Sequence, residues 1–149
     1  MPTLRTTATA NGEACVINVA ANGHLKAALD FDDLTFARNY NGVTAYQRAK
    51  LAVVLWTKHL ARQLAESGVN VNALHPGVIT TKTLFTGFGI TGATPDDGAA
   101  PLVHLATKDE LRGVTGRYFD VLRERKGVAA AIDEDAQTRL MSETDRALG

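Results

Sequence analysis

The chain has 149 residues, 16 Lys plus Arg against 16 Asp plus Glu, and 45% hydrophobic residues, the composition of one globular domain spanning residues 1–149. Its longest unbroken apolar run, Leu51 to Trp56, has six members, far short of the roughly 20 needed to cross a bilayer, so no membrane-spanning segment is expected. A net charge of zero gives no electrostatic reason to expect nucleic acid or an acidic membrane as partner, and the single Cys15 excludes a disulfide framework.

Met1 to Thr6 has neither the apolar core nor the small-residue cleavage site of a secretory leader, and a cytoplasmic location is expected. The first element is Ala14 to Ala20, short, apolar and β-branched, flanked by Asn11-Gly12 and Asn22-Gly23; it reads as a buried strand. Leu25 to Asn41 has no sustained period and ends in Asn39-Tyr40-Asn41-Gly42, so a long loop with one helical turn is expected. Long loops inside compact domains are often functional.

Val43 to Glu66 contains no Gly or Pro, and its polar residues Lys58, His59, Arg62, Gln63 and Glu66 recur at helical spacing. Between Ala49 and Trp56 only Lys50 is polar, which predicts a helix section covered on both sides, by the sheet and by a further helix or subunit. Ser67-Gly68 ends the helix, and Val69 to Leu74 forms a second strand. Strand, long helix, strand predicts a parallel βαβ unit with a right-handed crossover.

His75-Pro76-Gly77 breaks that strand, and Val78 to Ala93, rich in Gly and Thr, is expected to be a loop. Thr94 as N-cap, Pro95 at the first helical position and Asp96 and Asp97 in the first turn mark a helix to about Thr107. Arg117 to Val121 reads as a third strand, and Asp133 to Leu148 as an amphipathic helix with Ala136, Leu140, Met141 and Leu148 on one side. Arg123, Arg125 and Lys126 form a basic cluster too small to argue for nucleic acid.

Among residues able to do chemistry, Tyr46 and Lys50 lie four apart, one turn apart on the same helix face. An ammonium near a phenol favours the phenolate and lowers its pKa, so the pair can exchange a proton near neutrality; an ordinary amphipathic surface has the same spacing. Gly87-Phe88-Gly89-Ile90-Thr91-Gly92 is a literal G-x-G-x-x-G, but it starts thirteen residues beyond Leu74 instead of directly after the strand, which argues against phosphate binding. His24, His59, His75 and His104 have no metal-ligand spacing, and no metal site is expected.

Tyr46-Gln47-Arg48-Ala49-Lys50-Leu51-Ala52, lying between a strand ending Ile17-Asn18-Val19 and one running into His75-Pro76-Gly77-Val78-Ile79-Thr80-Thr81, resembles the C-terminal half of the short-chain dehydrogenase/reductase family. Asp30 to Leu34, Tyr46 to Leu55 and the tail from Gly116 through Ser142 look like its retinol-dehydrogenase-like branch. The resemblance implies an α/β fold: a partial Rossmann-like, doubly wound parallel sheet of about three strands with flanking helices, without the N-terminal nucleotide-binding half. It implies an NAD(P)-dependent oxidoreductase of carbonyls and alcohols, with Tyr46 as acid/base, Lys50 as its activator and nicotinamide-ribose ligand, Pro76-Gly77 beneath the nicotinamide and Thr81 on its carboxamide or the phosphate.

Two departures stand out. Laying Asn18-Val19-Ala20-Ala21 over the family's Asn-x-Ser-Ser pattern puts Ala21 where a serine orients the substrate oxygen; the adjacent Asn22 is a candidate replacement if its side chain points the same way. The glycine-rich turn that holds the pyrophosphate would precede Met1, so the chain is expected to bind NAD(P) incompletely or not at all. Alternatives are therefore a cofactor-independent acid/base enzyme (isomerase, dehydratase or cyclase) or a non-catalytic half-domain. Without its family neighbour the Ala14 to Ala20 strand exposes an edge, which predicts a homo-oligomer or a partner chain covering it. A small-molecule substrate is expected, with no diagnostic residue for its identity or for NAD against NADP.

Overall fold

A computed structural model describes residues 2–149. Its centre is a four-stranded sheet in the order β1 (Ala14–Val19), β2 (Val69–His75), β3 (Tyr118–Asp120), β4 (Arg123–Arg125). The first three strands are parallel, in a register that pairs Val19 with Leu74 and His75 with Asp120. The expected crossover is α2 (Gly42–Gln63), entered through a single 3-10 turn at Asn22–Lys26 and a long loop. Its first turn is closed by Asn41, whose side chain accepts from the Thr44 amide at 2.9 Å.

One side of α2 carries Leu51, Val54 and Leu55 into a buried cluster with Ala20, Ala73, Tyr118, Ala131 and Leu140. Farther along, Leu60, Ala61 and Leu64 join Val69 and Val71 in a second cluster, together with Ala8. Polar groups fix the rotation of α2 on β1: Asn18 Nδ2 donates to Thr57 Oγ1 at 2.9 Å, and Thr57 Oγ1 donates back to the Val53 carbonyl at 2.7 Å. Thr57 is fully buried, where an unpaired polar group would be costly.

Several expectations are corrected. Pro2–Asn11, to which no element was assigned, is α1; its Ala8 reaches the core although the segment's apolar residues are too few to show a stripe. The Val78 to Ala93 stretch is not all loop, since Lys82–Phe88 forms α3, capped by Thr81 and ended by Gly89 at φ 65°. Part of the basic cluster is a fourth, antiparallel strand: Arg125 meets Asp120 at 3.1 Å and Arg117 meets Glu124 at 3.2 Å, so cross-strand charge supports β4. Two apolar positions are also misjudged. Trp56 is 37% exposed, so α2 is not covered all round, and Leu148 at the end of α6 (Glu134–Leu148) points to solvent.

The well-marked helix is found as α4 (Pro95–Thr107), with reciprocal bonds between Thr94 and Asp97. The tail packs α5 (Ala129–Ile132) and α6 on α2. Gln137, almost wholly buried, donates to the Ala131 carbonyl at 2.8 Å and accepts from Arg62. Among the described residues no helix is long and apolar enough to cross a membrane, and β1 pairs with a strand on one side only.

Candidate active site

Parallel strands β1, β2 and β3 all end at one edge of the sheet, where they release Ala20-Ala21, Pro76-Gly77 and Val121. Open α/β sheets bind their ligands beyond this carboxyl edge. The first turns of α2 pass the same edge and deliver Tyr46 and Lys50 to it. Lys50 Nζ donates to the carbonyl of Val19, the last residue of β1, at 3.2 Å, and lies over the Tyr46 ring 5.6 Å from its centroid. The Tyr46 ring is half-buried between α3 and the 3-10 turn: it meets Phe88 of α3 edge-to-face at 5.4 Å, and a Cβ added at Gly23 would lie 3.5 Å from its Cε1.

Juxtaposition of Tyr46 and Lys50 is thus as the spacing predicts, but the direction of the pKa shift is not. Burial pushes the Tyr46 phenol up from its ordinary value, because the phenolate loses solvation there. The ammonium that was expected to lower it is engaged with the Val19 carbonyl and the ring face.

Behind Tyr46, the turn after β1 is held by a buried polar group that spacing rules passed over. The Ala21 carbonyl accepts from the His24 amide at 3.1 Å and from His24 Nδ1 at 2.7 Å, so Nδ1 carries the imidazole proton. His24 is fully buried against the edge of Tyr118, 4.4 Å between centroids, and its Nε2 has no partner. Tyr118, also buried, donates its hydroxyl to Asn22 Oδ1 at 2.8 Å. Ala21 itself is buried and presents only a methyl group. No local signal relates His24 to Tyr118, 94 residues apart in sequence.

Burial holds His24 and His75 below the ordinary imidazole value, and each can take a proton more easily in the unfolded chain. A depressed folded pKa makes stability full above the unfolded value near 6.5 and lost progressively as pH falls below it. The urea midpoint is therefore expected to drop between about pH 7.5 and about pH 5.5, and to drop less in His24→Gln. An unchanged pH slope in that variant would exclude His24 as a source.

The Pro76-Gly77 turn lies at the same edge, with Gly77 at φ 102° beside Ile79 and Val121. Thr81 caps the next helix: its Oγ1 accepts from the Leu84 amide at 3.2 Å and starts α3. The intervening segment is a flap closed at its base. Thr80 N donates to Ala93 O and Ala93 N to Val78 O, each at 2.8 Å, and Thr80 Oγ1 bonds both backbone groups of Gly92.

This disposes of the G-x-G-x-x-G pattern: Gly87 sits inside α3, Gly89 ends it, and Gly92 packs on the Val78 carbonyl. A Cβ at Gly92 would stand 2.0 Å from the Val78 oxygen. Gly92→Ala is accordingly expected to open the flap base at a cost of about 1–3 kcal/mol. Amide exchange at Thr80 and Ala93 should accelerate while β2 keeps its protection; equal protection in both chains would refute it.

Comparison with known proteins identifies the fold and the family. The model of a family described as enoyl-(acyl carrier protein) reductase matches residues 33–115, more than half of the chain. Human retinol dehydrogenase 13 is 40% identical over 157 aligned residues, covering 94% of this chain and 47% of that protein. A probable oxidoreductase of Streptomyces antibioticus is 38% identical, covering 87% and 53% respectively. Among solved structures, 3-ketoacyl-(acyl-carrier-protein) reductase from Brucella melitensis, complexed with NADH, matches with a TM-score of 0.57 and 26% identity over 81% of this chain and 48% of that one. The chain spans about half the length of the curated relatives it matches. With a parallel sheet, a Tyr-Lys pair at its carboxyl edge and these relatives, the chain belongs to the short-chain dehydrogenase/reductase family of oxidoreductases.

Proposed function

We propose that this chain contributes the proton-transfer half of an NAD(P)-linked reduction of a carbonyl compound, or oxidation of the corresponding alcohol. Tyr46 is the general acid/base and Lys50 sits beside it. The observation that carries this reading is the delivery of both side chains to the carboxyl edge of the parallel sheet, Lys50 bonded to the end of β1. When bound, the nicotinamide supplies or removes the hydride.

The residues present fit the nicotinamide end of such a cofactor. Lys50 keeps ammonium hydrogens beyond the one given to Val19 for a ribose hydroxyl, and Gly77 at φ 102° leaves no side chain over the Pro76 turn. Thr81 follows four residues after Gly77, and its hydroxyl can still donate, since its cap uses the oxygen only as acceptor. For the pyrophosphate, no glycine-rich turn among the described residues leads from a strand directly into a helix.

Because burial raises the Tyr46 phenol, the protonated form is the resting form, which suits delivery of a proton to a carbonyl oxygen. Carbonyl reduction is expected to hold through neutral pH, while alcohol oxidation, which needs the phenolate, climbs into the alkaline range. Calorimetry with NADH and NADPH, together with turnover of simple aldehydes and ketones, tests the reading. Absence of both binding and turnover would sink it.

The open edge of β1 supports a second reading, in which another chain, or a second copy, covers Ala14 to Ala20. Cys15 is exposed there and Val19 is 45% exposed. An edge of this kind is a pairing site unless it is covered. Light scattering at micromolar concentration should report an oligomer, and a monomer would contradict it.

A further inference from the structure

We propose that the side-chain amide of Asn22 makes the hydrogen bond to the substrate oxygen that the Ala21 methyl cannot make, and that Tyr118 is the positioning residue that aims it. This rests on the reading of Tyr46 as acid/base and adds to it the group that orients the substrate.

Three observations carry the inference. First, Tyr118 is buried, and its hydroxyl has Asn22 Oδ1, at 2.8 Å, as its hydrogen-bond partner among the described residues. A buried hydroxyl needs an acceptor, so the amide must turn its oxygen toward Tyr118, and Nδ2 with its two protons faces the other way. The opposite flip would leave the Tyr118 proton without an acceptor. Burial, aided by the Asp120 carboxylate, drives the Tyr118 phenol far above its ordinary value, so this donor persists at every working pH.

Second, Nδ2 makes no hydrogen bond among the described residues, yet it is not one of the buried unpartnered atoms, which are ring nitrogens of His24, His59 and His75. Nδ2 is therefore without a protein partner and not sealed from solvent or ligand. Third, two neighbours connect the Asn22 amide to Tyr46: the adjacent Gly23 and the Tyr118 hydroxyl to which the amide is bonded. Gly23, the next residue, lies against the Tyr46 ring, and the Tyr118 hydroxyl is near enough to Tyr46 for the charge of one phenolate to oppose ionisation of the other.

The turn is also rigid, since both His24 donors close on the Ala21 carbonyl and the His24 ring is wedged on Tyr118. A fixed amide donor beside the proton donor is the arrangement that stabilises charge developing on a carbonyl oxygen.

The test uses the unmodified, 15N-labelled chain titrated with cyclohexanone as carbonyl probe, and follows the Asn22 side-chain amide and the Tyr46 ring by NMR. Both sets of signals are expected to shift together and saturate at the same ketone concentration. In Tyr118→Phe the Asn22 amide should lose its ketone response while the Tyr46 ring keeps its own. In turnover, Asn22→Asp keeps the acceptor for Tyr118 and loses both donors, and should lower kcat by about 100-fold or more with KM nearly unchanged. Adding Ala21→Ser to that variant should restore much of the loss.

If the Tyr46 signals move while those of Asn22 do not, or if Asn22→Asp keeps its kcat, the inference is overturned and the reading of Tyr46 survives. If neither set responds to ketone and the chain shows no turnover, the reading of Tyr46 fails and this inference falls with it.

Discussion

Tyr46→Phe is expected to lower kcat for carbonyl reduction by about 100- to 10,000-fold, the range that a positioned acid/base contributes. The variant removes one oxygen and keeps the ring, so the edge-to-face contact with Phe88 and the contact with Gly23 remain. Stability should therefore change by less than about 0.5 kcal/mol, and a urea titration run beside the kinetics separates lost chemistry from lost fold. Lys50→Met makes a useful companion: it removes the bond to Val19 and the cation over the ring while conserving most of the apolar stem. Turnover of Tyr46→Phe within a few-fold of the unmodified chain would remove Tyr46 from the mechanism.

The largest stability effect is expected from Leu55→Ala, at about 2–5 kcal/mol. Leu55 is wholly buried in the cluster that joins α2 to the sheet through Ala73 and Tyr118 and to the tail through Ala131 and Leu140. The cluster draws on the sheet, α2 and the tail, and a core tied to three elements relaxes only partly around a cavity. Against a total of roughly 5–15 kcal/mol for a domain, such a loss is a large fraction of the stability. Chemical denaturation followed by Trp56 fluorescence measures it, and a cost below about 1 kcal/mol would show that the cluster is looser than its burial implies. Because Tyr118 belongs to the same cluster, the Asn22 amide should also lose its fixed orientation.

Local signals accounted for much of the fold. The Thr94-Pro95-Asp96-Asp97 start, the β-branched run from Ala14 and the unbroken period of α2 each act over a few residues, and each is found where it was expected. The flap helix escaped because glycines at 87, 89 and 92 look like loop when read singly; one lies within α3, one ends it and one packs on Val78. β4 escaped because Arg123, Glu124 and Arg125 have no strand propensity, and their pairing depends on Asp120 and Arg117 lying across from them.

Site chemistry divides along the same line. The parallel βαβ unit and the pairing of Tyr46 with Lys50 were legible in the residues, the latter because helical spacing alone puts residues four apart on one face. The direction of the Tyr46 shift came from packing, since burial depends on Phe88 and Gly23, which the chain brings in from either side of it. The same holds for the Tyr118 bond to Asn22, which spans 96 residues and exists because β3 docks beside β2 at the edge where β1 ends. Solvent exclusion and hydrogen-bond geometry are properties of the packed neighbourhood, and no local pattern in the sequence encodes them.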